Sequence, residues 1–199
     1  MVVKLTEEIY DIFLLCGFPV RLMKVDIELR KFPFAVDYLS NFNKVMESPD
    51  PNTQESLYFH GKSDAGKSSI AVAMAKSIVH SPRVNHVFYV NYSELINEFY
   101  LIQKGELLFK NSKFDKAMRY EFLVLDEVGI ETKLTDFLVS KFYLIINTRY
   151  EKKMPMIITS NWPIDQLTER FGGGEMADRI HSRIMKMCKE VEIKNSDWE

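Results

Sequence analysis

A short apolar run, Leu57-Tyr58-Phe59, leads into the segment Gly61-Lys62-Ser63-Asp64-Ala65-Gly66-Lys67-Ser68, which matches the pattern GxxxxGK[ST] at every fixed position. The two glycines let the backbone curl, so that successive N–H groups point into one concavity at the N-terminus of the following helix. Lys67 adds a positive charge beside bound phosphates, and the Ser68 hydroxyl reaches Mg²⁺. A glycine-rich turn without a ligand would need neither Lys67 nor Ser68. The segment therefore predicts a loop for a nucleoside triphosphate with Mg²⁺, formed by Gly61, Lys62, Ser63, Asp64, Ala65, Gly66, Lys67, Ser68 and Ser69.

The composition limits the kind of protein that carries this loop. At 199 residues and 46% hydrophobic content, the chain has room for one sizeable core. Charge is nearly balanced, with 26 basic and 28 acidic residues, which excludes a strongly basic nucleic-acid-binding protein. The two cysteines, Cys16 and Cys188, provide neither a disulfide framework nor a four-ligand zinc site. We expect both to be buried thiols.

The N-terminal apolar stretch, residues 9–20, is interrupted by Asp11 and Pro19 and lacks the basic start of a signal peptide. No apolar run in the sequence reaches the length that a transmembrane helix needs. These two observations predict a cytoplasmic protein without membrane association.

Strands and helices alternate through most of the chain. The predicted strands cover residues 57–59, 86–91, 122–126, 156–160 and 191–193, and the predicted helices between them cover 67–80, 93–102, 135–150 and 176–189. Continuous apolar strands are what a parallel sheet covered on both faces requires. The pattern predicts an α/β fold: a three-layer α/β/α sandwich with a five-stranded parallel sheet and no separate lid domain.

Two more helices are predicted before the first strand. The first covers residues 6–16, with Thr6 as its cap and Gly17 as its end, and the second covers residues 34–46. The prolines and polar residues of 48–53 predict an exposed connection. We therefore expect an N-terminal helical extension, residues 1–50, followed by a core, residues 51–199.

Polar residues end two of the predicted strands. Asp126 and Glu127 follow a buried strand, where Asp126 is placed to hold Mg²⁺ and Glu127 to orient and deprotonate the attacking water. Paired acids at a strand end can also simply start a turn, but a phosphate loop upstream favours the metal and base roles. Asn161 follows the strand at 156–160, where it either hydrogen-bonds the γ-phosphate or the water, or serves as a polar exit before Pro163.

Two arginines lie four residues apart after a run of three glycines. Arg179 and Arg183 share one face of the predicted helix. They either form surface ion pairs with Asp178 or Glu175, or project into the nucleotide of a neighbouring subunit, where an arginine supplies charge to the transition state.

The segment 99–120 combines basic and aromatic residues. Five basic residues stand against two acidic ones between residues 101 and 120. The interleaved aromatics are Phe99, Tyr100, Phe109, Phe114 and Tyr120. Basic side chains beside aromatics that stack on bases can hold single-stranded nucleic acid. A solvated helix whose aromatic side chains belong to the core explains the same pattern.

Together these motifs resemble those of the AAA+ ATPases of the DnaC/DnaI helicase-loader family, with the transposition ATPase IstB as a near relative. The matching segments are GKSDAGKS, FLVLDEVG, NTRYEKKMPMIITSN, ADRIHSRI and MCKEVEI, and the match runs from about residue 17 to residue 193. The resemblance implies ATP and Mg²⁺ as ligands, Asn161 as the sensor I residue, Arg183 as the arginine finger and Arg179 as its helical partner in self-association. It also implies a DnaB-type hexameric replicative helicase as partner, and single-stranded DNA at the 99–120 segment.

The chain departs from this family in two respects. Such loaders usually carry an additional N-terminal helicase-binding domain, and the family often has a basic residue shortly after the last strand, where this chain reads Asn195-Ser196-Asp197-Trp198-Glu199. We therefore expect a compact version from a phage, plasmid or mobile element, in which the helix over 6–16 either docks on the helicase or covers the edge of the core. Two other functions remain open: an IstB-like transposition ATPase, and a non-hydrolysing nucleotide-bound assembly or inhibitory module.

Overall fold

The structure is a computed structural model that describes residues 7–47, 54–82, 84–129 and 135–198. A sheet of five strands, all paired in parallel, lies at its centre in the order β2-β3-β4-β1-β5. The predicted five-stranded parallel sheet is thereby confirmed. The strands are β1 (Ser56–His60), β2 (Val87–Asn91), β3 (Phe122–Val128), β4 (Met156–Ser160) and β5 (Cys188–Glu192).

Helices cover both faces of this sheet. In the described residues they are α1 (Glu7–Leu15), α2 (Val20–Met23), α3 (Pro33–Glu47), α4 (Lys67–Ile78), α5 (Tyr92–Gln103), α6 (Lys113–Arg119), α7 (Asp136–Glu151), α8 (Ile164–Arg170) and α9 (Glu175–Met187), with 3₁₀ turns at Leu29–Lys31 and Asn195–Trp198. None of these helices is both long and apolar enough to cross a membrane.

Some predicted boundaries are wrong. Helices α6 and α8 were not predicted, because helices of seven residues contain too few turns to show a clear apolar period. The last helix ends at Met187 instead of residue 189, and β5 begins at Cys188 instead of residue 191. The strand begins at Cys188 because this residue already pairs with Ser56 of β1.

The alternation of side chains along the strands divides the core between the two faces of the sheet. On β1, Leu57 and Phe59 belong to one buried cluster, which includes α4, while Tyr58 belongs to the other, which includes α5 and α7. Val124 of β3 likewise faces α4, and its neighbours Leu123 and Leu125 face the opposite side. This period of two in a buried parallel strand produces the three predicted layers.

The first helix contributes one fully buried side chain to the core and exposes several others. Phe13 is completely buried against Phe18, with ring centroids 4.5 Å apart. Ile12, Leu14 and Leu15 are exposed, Leu15 to 81%. The predicted cap Thr6 and the predicted connection 48–53 lie outside the described residues, so the domain boundary at residue 50 stays a prediction.

A fully buried arginine joins the amino ends of β3 and β4. Arg149 on α7 donates hydrogen bonds to four backbone carbonyls, those of Ala117, Tyr120, Glu121 and Pro155, over distances of 2.6–3.0 Å. Burial lowers the pKa of its guanidinium to about 9, so it remains protonated at neutral pH. The two strands are therefore clamped to α7 just before they begin.

Candidate functional site

The phosphate-loop segment adopts a backbone that requires both of its glycines. Gly61 and Gly66 have φ of 144° and 87°, and Asp64 also has a positive φ of 61°. A Cβ atom at Gly61 would lie 2.2 Å from the carbonyl oxygen of Ile193, and one at Gly66 would lie 2.0 Å from the ring of Trp198. No side chain fits at such distances. The glycines are therefore needed for close packing as well as for backbone freedom.

Trp198 lies directly on this loop. Its indole N–H donates to the carbonyl of Ala65 over 2.8 Å, and its ring packs edge-on against Phe32. Residues 195–199 contain no basic residue, which is the departure from the helicase loaders described above. The structure shows an aromatic residue that supports the loop.

Lys67 begins α4 and is 93% buried, with 7% of its surface exposed. Its ammonium group donates to the carbonyls of Gly61 and Lys62 and to Oδ1 of Asn161, over 2.7–2.9 Å. Burial lowers the pKa of Lys67, and the carboxylates of Asp126 and Glu127 act in the opposite direction. All three acceptors are neutral, so a negatively charged phosphate oxygen would be a stronger partner for this cation.

Ser68 and Asp126 lie in direct contact. Oδ1 of Asp126 accepts hydrogen bonds from Oγ of Ser68, over 2.7 Å, and from Oγ1 of Thr159, over 2.5 Å, while its Oδ2 accepts one from the Tyr89 hydroxyl. Burial, together with the charge of Asp126 and this hydrogen bond, raises the pKa of Tyr89, so the tyrosine remains a donor. Three side chains thus fix one buried carboxylate.

The donor set fits Mg²⁺. A carboxylate and a hydroxyl are the hard oxygen ligands that this ion uses together with substrate phosphates and water. No cluster of three or more His, Cys, Asp or Glu residues that could hold a metal ion occurs in the described ranges. Ser68 and Asp126 would therefore supply the protein ligands, with phosphates and water completing the shell.

Glu127 occupies an irregular position of β3. Its φ is 60°, unusual for a residue other than glycine, and the pairing of β3 with β4 shifts register between Leu125 and Val128. Such left-handed backbone costs about 1–3 kcal/mol and occurs preferentially at functional sites. The irregularity separates the directions of neighbouring side chains: Asp126 is buried, whereas Glu127 reaches the cleft.

Asn91 holds the Glu127 carboxylate. Its Nδ2 donates to Oε2 of Glu127 over 2.5 Å, and its Oδ1 accepts the N–H of Ser93 at the start of α5. The sequence analysis placed Asn91 at the end of a strand but gave it no role. A signal was present, because Asn91 ends β2 as Asp126 ends the regular part of β3, and the two residues are paired in register.

The predicted residues surround a single cleft of about 180 Å³ at the carboxyl ends of the strands. Its lining residues are Arg21, Leu22, Ser63, Asp64, Gly66, Lys67, Ser68, Ser69, Glu127 and Asn161. The structure thus brings the phosphate loop, Glu127 and Asn161 together, with Asp126 directly beneath Ser68. Arg21, on the N-terminal segment, was missed by sequence reasoning.

The two candidate arginines behave differently. Arg179 forms an ion pair with Glu175 one turn earlier on α9, one of the two outcomes considered from the sequence. Arg183 forms no ion pair in the described part of the chain. Its Nε donates to Oδ1 of Asn147 over 2.5 Å, and its guanidinium lies 5.4 Å from the ring centres of Tyr143 and Tyr150. Both arginines therefore contact helices, and neither lines the cleft of its own subunit.

The 99–120 segment matches its predicted surface only in part. Phe99 and Phe114 are buried, with their ring centroids 4.2 Å apart, so they cannot stack on bases. Lys113 pairs with Glu94 and Arg119 pairs with Asp115, which reduces the available positive charge. The exposed residues of this segment include Lys104, Lys110, Tyr100, Phe109 and Leu108, and also the acidic Glu106. Part of the interleaved aromatic pattern therefore consists of side chains that belong to the core.

With this geometry established, comparison with known proteins identifies the family. A family model described as IstB-like ATP binding protein matches residues 51–198, which is most of the chain. The chain belongs to the IstB-like ATP-binding family. It is 24% identical over 171 residues to the uncharacterized protein YqaM of Bacillus subtilis, covering 84% of this chain and 50% of YqaM. It is 20% identical over 177 residues to the phage-like element PBSX protein XkdC of the same organism, covering 84% of this chain and 60% of XkdC. This IstB-like chain thus spans only part of the length of both relatives.

Solved structures share the fold of this IstB-like protein. The crystal structure of DnaI matches with a TM-score of 0.64 and 23% identity, covering 89% of each chain. The crystal structure of the DnaC helicase loader matches with a TM-score of 0.64 and 22% identity, covering 87% of this chain and 96% of the other. The resemblance to the DnaC/DnaI family and the P-loop fold predicted from the sequence are confirmed.

Proposed function

We propose that this protein hydrolyses ATP in the cleft at the carboxyl ends of β1, β3 and β4. The observation that carries the proposal is the convergence of Lys67, Ser68, Asp126, Glu127 and Asn161 on one cleft. Lys67 would bind the β- and γ-phosphates, and Ser68 and Asp126 would hold Mg²⁺, which neutralises phosphate charge when bound. Glu127 would accept the proton of the attacking water, and Asn161 would orient the γ-phosphate or the water.

The contact between Asn91 and Glu127 supports slow turnover in the isolated subunit. The amide donor occupies Oε2 of Glu127 and orients the carboxylate toward Asn91. For Glu127 to take a proton from water, its Oε2 must turn away from Asn91 or share the contact. Slow basal hydrolysis that rises with a partner or DNA is the behaviour we expect.

A pair of variants tests this assignment. Glu127→Gln should retain ATP binding and lower hydrolysis by at least about 100-fold, because a general base contributes factors of this order. Asp165→Asn, an exposed change outside the cleft, is the control and should keep normal turnover. Hydrolysis by Glu127→Gln at the wild-type rate would refute the choice of base. A wild type that binds ATP and never hydrolyses it, with or without DNA, would favour a nucleotide-bound assembly module.

The partner we propose is a hexameric replicative helicase of the DnaB type, loaded or remodelled by an oligomer with ATP at its subunit interfaces. The support is the fold shared with the DnaC helicase loader and the sequence motifs of that family. The relationship to a phage-element protein supports a phage or mobile-element context. Co-purification with the helicase of the source cell should require a non-hydrolysable ATP analogue. Failure to capture helicase under those conditions would contradict the loader function.

The N-terminal helix is our proposed helicase contact. Ile12, Leu14 and Leu15 are exposed on α1, while Phe13 anchors the helix to the core. Deleting residues 1–16 would remove Phe13 as well, so a point change separates the two roles. Leu15→Glu should leave the melting temperature and ATP binding unchanged and abolish helicase capture. Capture by Leu15→Glu at the wild-type level would place the contact elsewhere.

Single-stranded DNA is the second proposed partner. Because Phe99 and Phe114 are buried, the groups of the 99–120 segment that we propose to contact DNA are Lys104, Lys110 and Phe109. Replacing both lysines by Glu should abolish ATP-dependent binding to single strands and flatten its salt dependence, since fewer counterions are released. Lys113→Glu, at a lysine already paired with Glu94, should have a smaller effect.

An IstB-like transposition ATPase is the alternative, and the family match is the observation that favours it. Both functions use the same cleft. They differ in the DNA, because this alternative predicts preferential binding to duplex DNA together with a transposase. Comparing affinity for duplex and single-stranded oligonucleotides of equal length, at one salt concentration, distinguishes the two.

A further inference from the structure

One side chain lines the cleft without belonging to the phosphate loop or to a strand end. Arg21 lies on α2, in the segment ahead of the first strand, and borders the same cleft as Asp64, Ser68 and Glu127. A guanidinium carries a permanent charge and a planar set of donors that fits phosphate oxygens. Arg21 therefore has the chemistry that the ligand of this cleft would require.

The backbone before Arg21 is attached to the sheet. The N–H of Tyr89 on β2 donates to the carbonyl of Cys16 over 2.9 Å. Gly17 follows with φ of 85°, and a Cβ atom there would lie 2.4 Å from the carbonyl oxygen of Tyr89. Phe18 is buried and packs against the Tyr89 ring, with centroids 5.5 Å apart. The chain thus approaches the cleft along a path that only glycine permits.

The backbone after Arg21 is attached to α4, the helix that begins at the phosphate loop. Nζ of Lys76 donates to the carbonyls of Met23 and Val25, over 2.5 and 3.2 Å. Leu22 and Met23 are buried beside this helix. Attachment on both sides fixes the position of Arg21 at the rim of the cleft.

The Arg21 side chain itself is exposed and forms no ion pair with any of the described residues. An arginine without a carboxylate partner, on a fixed backbone beside an anion-binding loop, is available for a ligand. This distinguishes Arg21 from Arg30, in the 3₁₀ turn Leu29–Lys31, which pairs with Glu28.

We propose that Arg21 binds the phosphates of the nucleotide, so that the N-terminal segment supplies a cation to the site of its own subunit. The proposal rests on the nucleotide binding proposed for the cleft. It gives the site a second cation beside Lys67, one that needs no neighbouring subunit. It also makes the segment that carries α1 and α2 sensitive to the presence of nucleotide.

Titration with ATP and with ADP tests the proposal on the full chain. Arg21→Ala should weaken ATP binding at least about tenfold, because a hydrogen bond to a charged group is worth about 1.5–3 kcal/mol and each 1.4 kcal/mol is a factor of ten. Arg21→Lys should recover part of the loss, since it keeps the charge without the fork. Arg30→Ala is the matched control and should bind ATP within twofold of the wild type. The melting temperature of Arg21→Ala without nucleotide should equal that of the wild type.

Each outcome decides the proposal. A loss for ATP that ADP does not share would place Arg21 on the terminal phosphate, and an equal loss for both would place it on the inner phosphates; both support phosphate binding. ATP affinity of Arg21→Ala within twofold of the wild type would overturn it, as would an equal loss in Arg30→Ala. Failure of the wild type to bind either nucleotide would instead refute the function proposed for the cleft.

Discussion

Strands β3 and β4 have a buried cation at each end, and the two cations have different surroundings. At the carboxyl ends, Lys67 donates to two loop carbonyls and to the side chain of Asn161, and it borders an open cleft. At the amino ends, Arg149 donates to four backbone carbonyls and has no exposed surface. A phosphate can replace the acceptors of the first cation but cannot reach the second.

The difference shows how similar chemistry supports two purposes. Arg149 donates to carbonyls that no ligand can reach, so its contribution is to the stability of the fold. Lys67 takes acceptors that a ligand can outcompete, so its contribution is to binding. Burial alone does not distinguish them, since both are almost fully buried. The two cations are distinguished by whether a ligand can reach their acceptors.

The strongest test of this comparison is Arg149→Met. Four carbonyls would lose a charged donor, two of them in fully buried contacts, and we expect the free energy of unfolding to fall by roughly 3–5 kcal/mol, because an unsatisfied buried acceptor costs about 1–3 kcal/mol. Denaturant unfolding measures the change. Lys152→Met, at an exposed position on the end of the same helix, is the control and should stay within about 0.5 kcal/mol of the wild type. A change of similar size in both variants would show that Arg149 is no clamp.

Lys67→Ala should give the opposite profile. We expect ATP affinity to fall by about 100-fold or more, since a charge-assisted contact to phosphate is lost. The stability of the nucleotide-free protein should change by less than about 1 kcal/mol, because water in the cleft can solvate the freed carbonyls. Calorimetric titration and denaturant unfolding measure the two quantities. A large loss of stability in Lys67→Ala, together with unchanged ATP affinity, would reverse the roles of the two cations.

Helix α7, which carries Arg149, also contacts Arg183 of α9 through Asn147. This contact extends the comparison to a neighbouring subunit. We propose Arg183 as an arginine finger, and Arg183→Ala should then lower ATPase activity at least tenfold without weakening ATP binding, because such an arginine acts on the transition state. Mixing Arg183→Ala with Glu127→Gln subunits, each inactive alone, should restore part of the activity at interfaces that pair an intact base with an intact finger. Co-assembled mixtures without activity would assign Arg183 to its own subunit. Arg179→Ala is the control, since Arg179 already pairs with Glu175.

The smallest expected effect concerns a carboxylate at the amino end of β1. Glu55 is 4% exposed, and its Oε1 has no hydrogen-bond partner in the described part of the chain, whereas Asp126 at the other end of the sheet accepts from three side chains. Burial raises the pKa of Glu55, and Lys153 opposes this only weakly from 4.0 Å. The folded state therefore binds a proton more tightly than the unfolded chain, and stability falls as pH rises through the folded pKa.

Glu55→Gln should remove this pH dependence. As pH rises through the range between the unfolded and the raised folded pKa of Glu55, the wild type should lose stability relative to the variant, by less than about 1 kcal/mol, a usual size for a single conservative change. Melting temperatures across this range measure it, with the exposed Glu169→Gln as control. A difference between Glu55→Gln and the wild type that does not vary with pH would show that Glu55 is ionised in both states.

The sequence was sufficient to predict the position of residues that local spacing places at strand ends. The phosphate loop, Asp126, Glu127 and Asn161 all stand at the carboxyl ends of apolar runs, and parallel strands bring such ends together. Arg149 and Arg21 could not be found in this way. The acceptors of Arg149 come from two segments, residues 117–121 and Pro155, and the position of Arg21 depends on how the chain before β1 crosses the sheet.

The aromatic residues of the 99–120 segment show a different limit. Sequence spacing could not separate Phe99 and Phe114, which pack on each other, from Phe109 and Tyr100, which are exposed. The missing information was the presence of α6. Its start is encoded by Ser112, which caps the N–H of Asp115, but a single cap before seven residues is a weak signal.

The contacts of the phosphate loop also determine when, during synthesis, this loop can be completed. Its strand, β1, lies between β4 and β5, and the hydrogen bond that joins Ser56 to Met156 spans 100 residues of sequence. The bond from Trp198 to Ala65 spans 133 residues. On a ribosome, the loop emerges long before its neighbours, and contacts of such separation form late in folding. The loop therefore acquires its neighbours, and with them its shape for phosphate, only after residue 198 has been made.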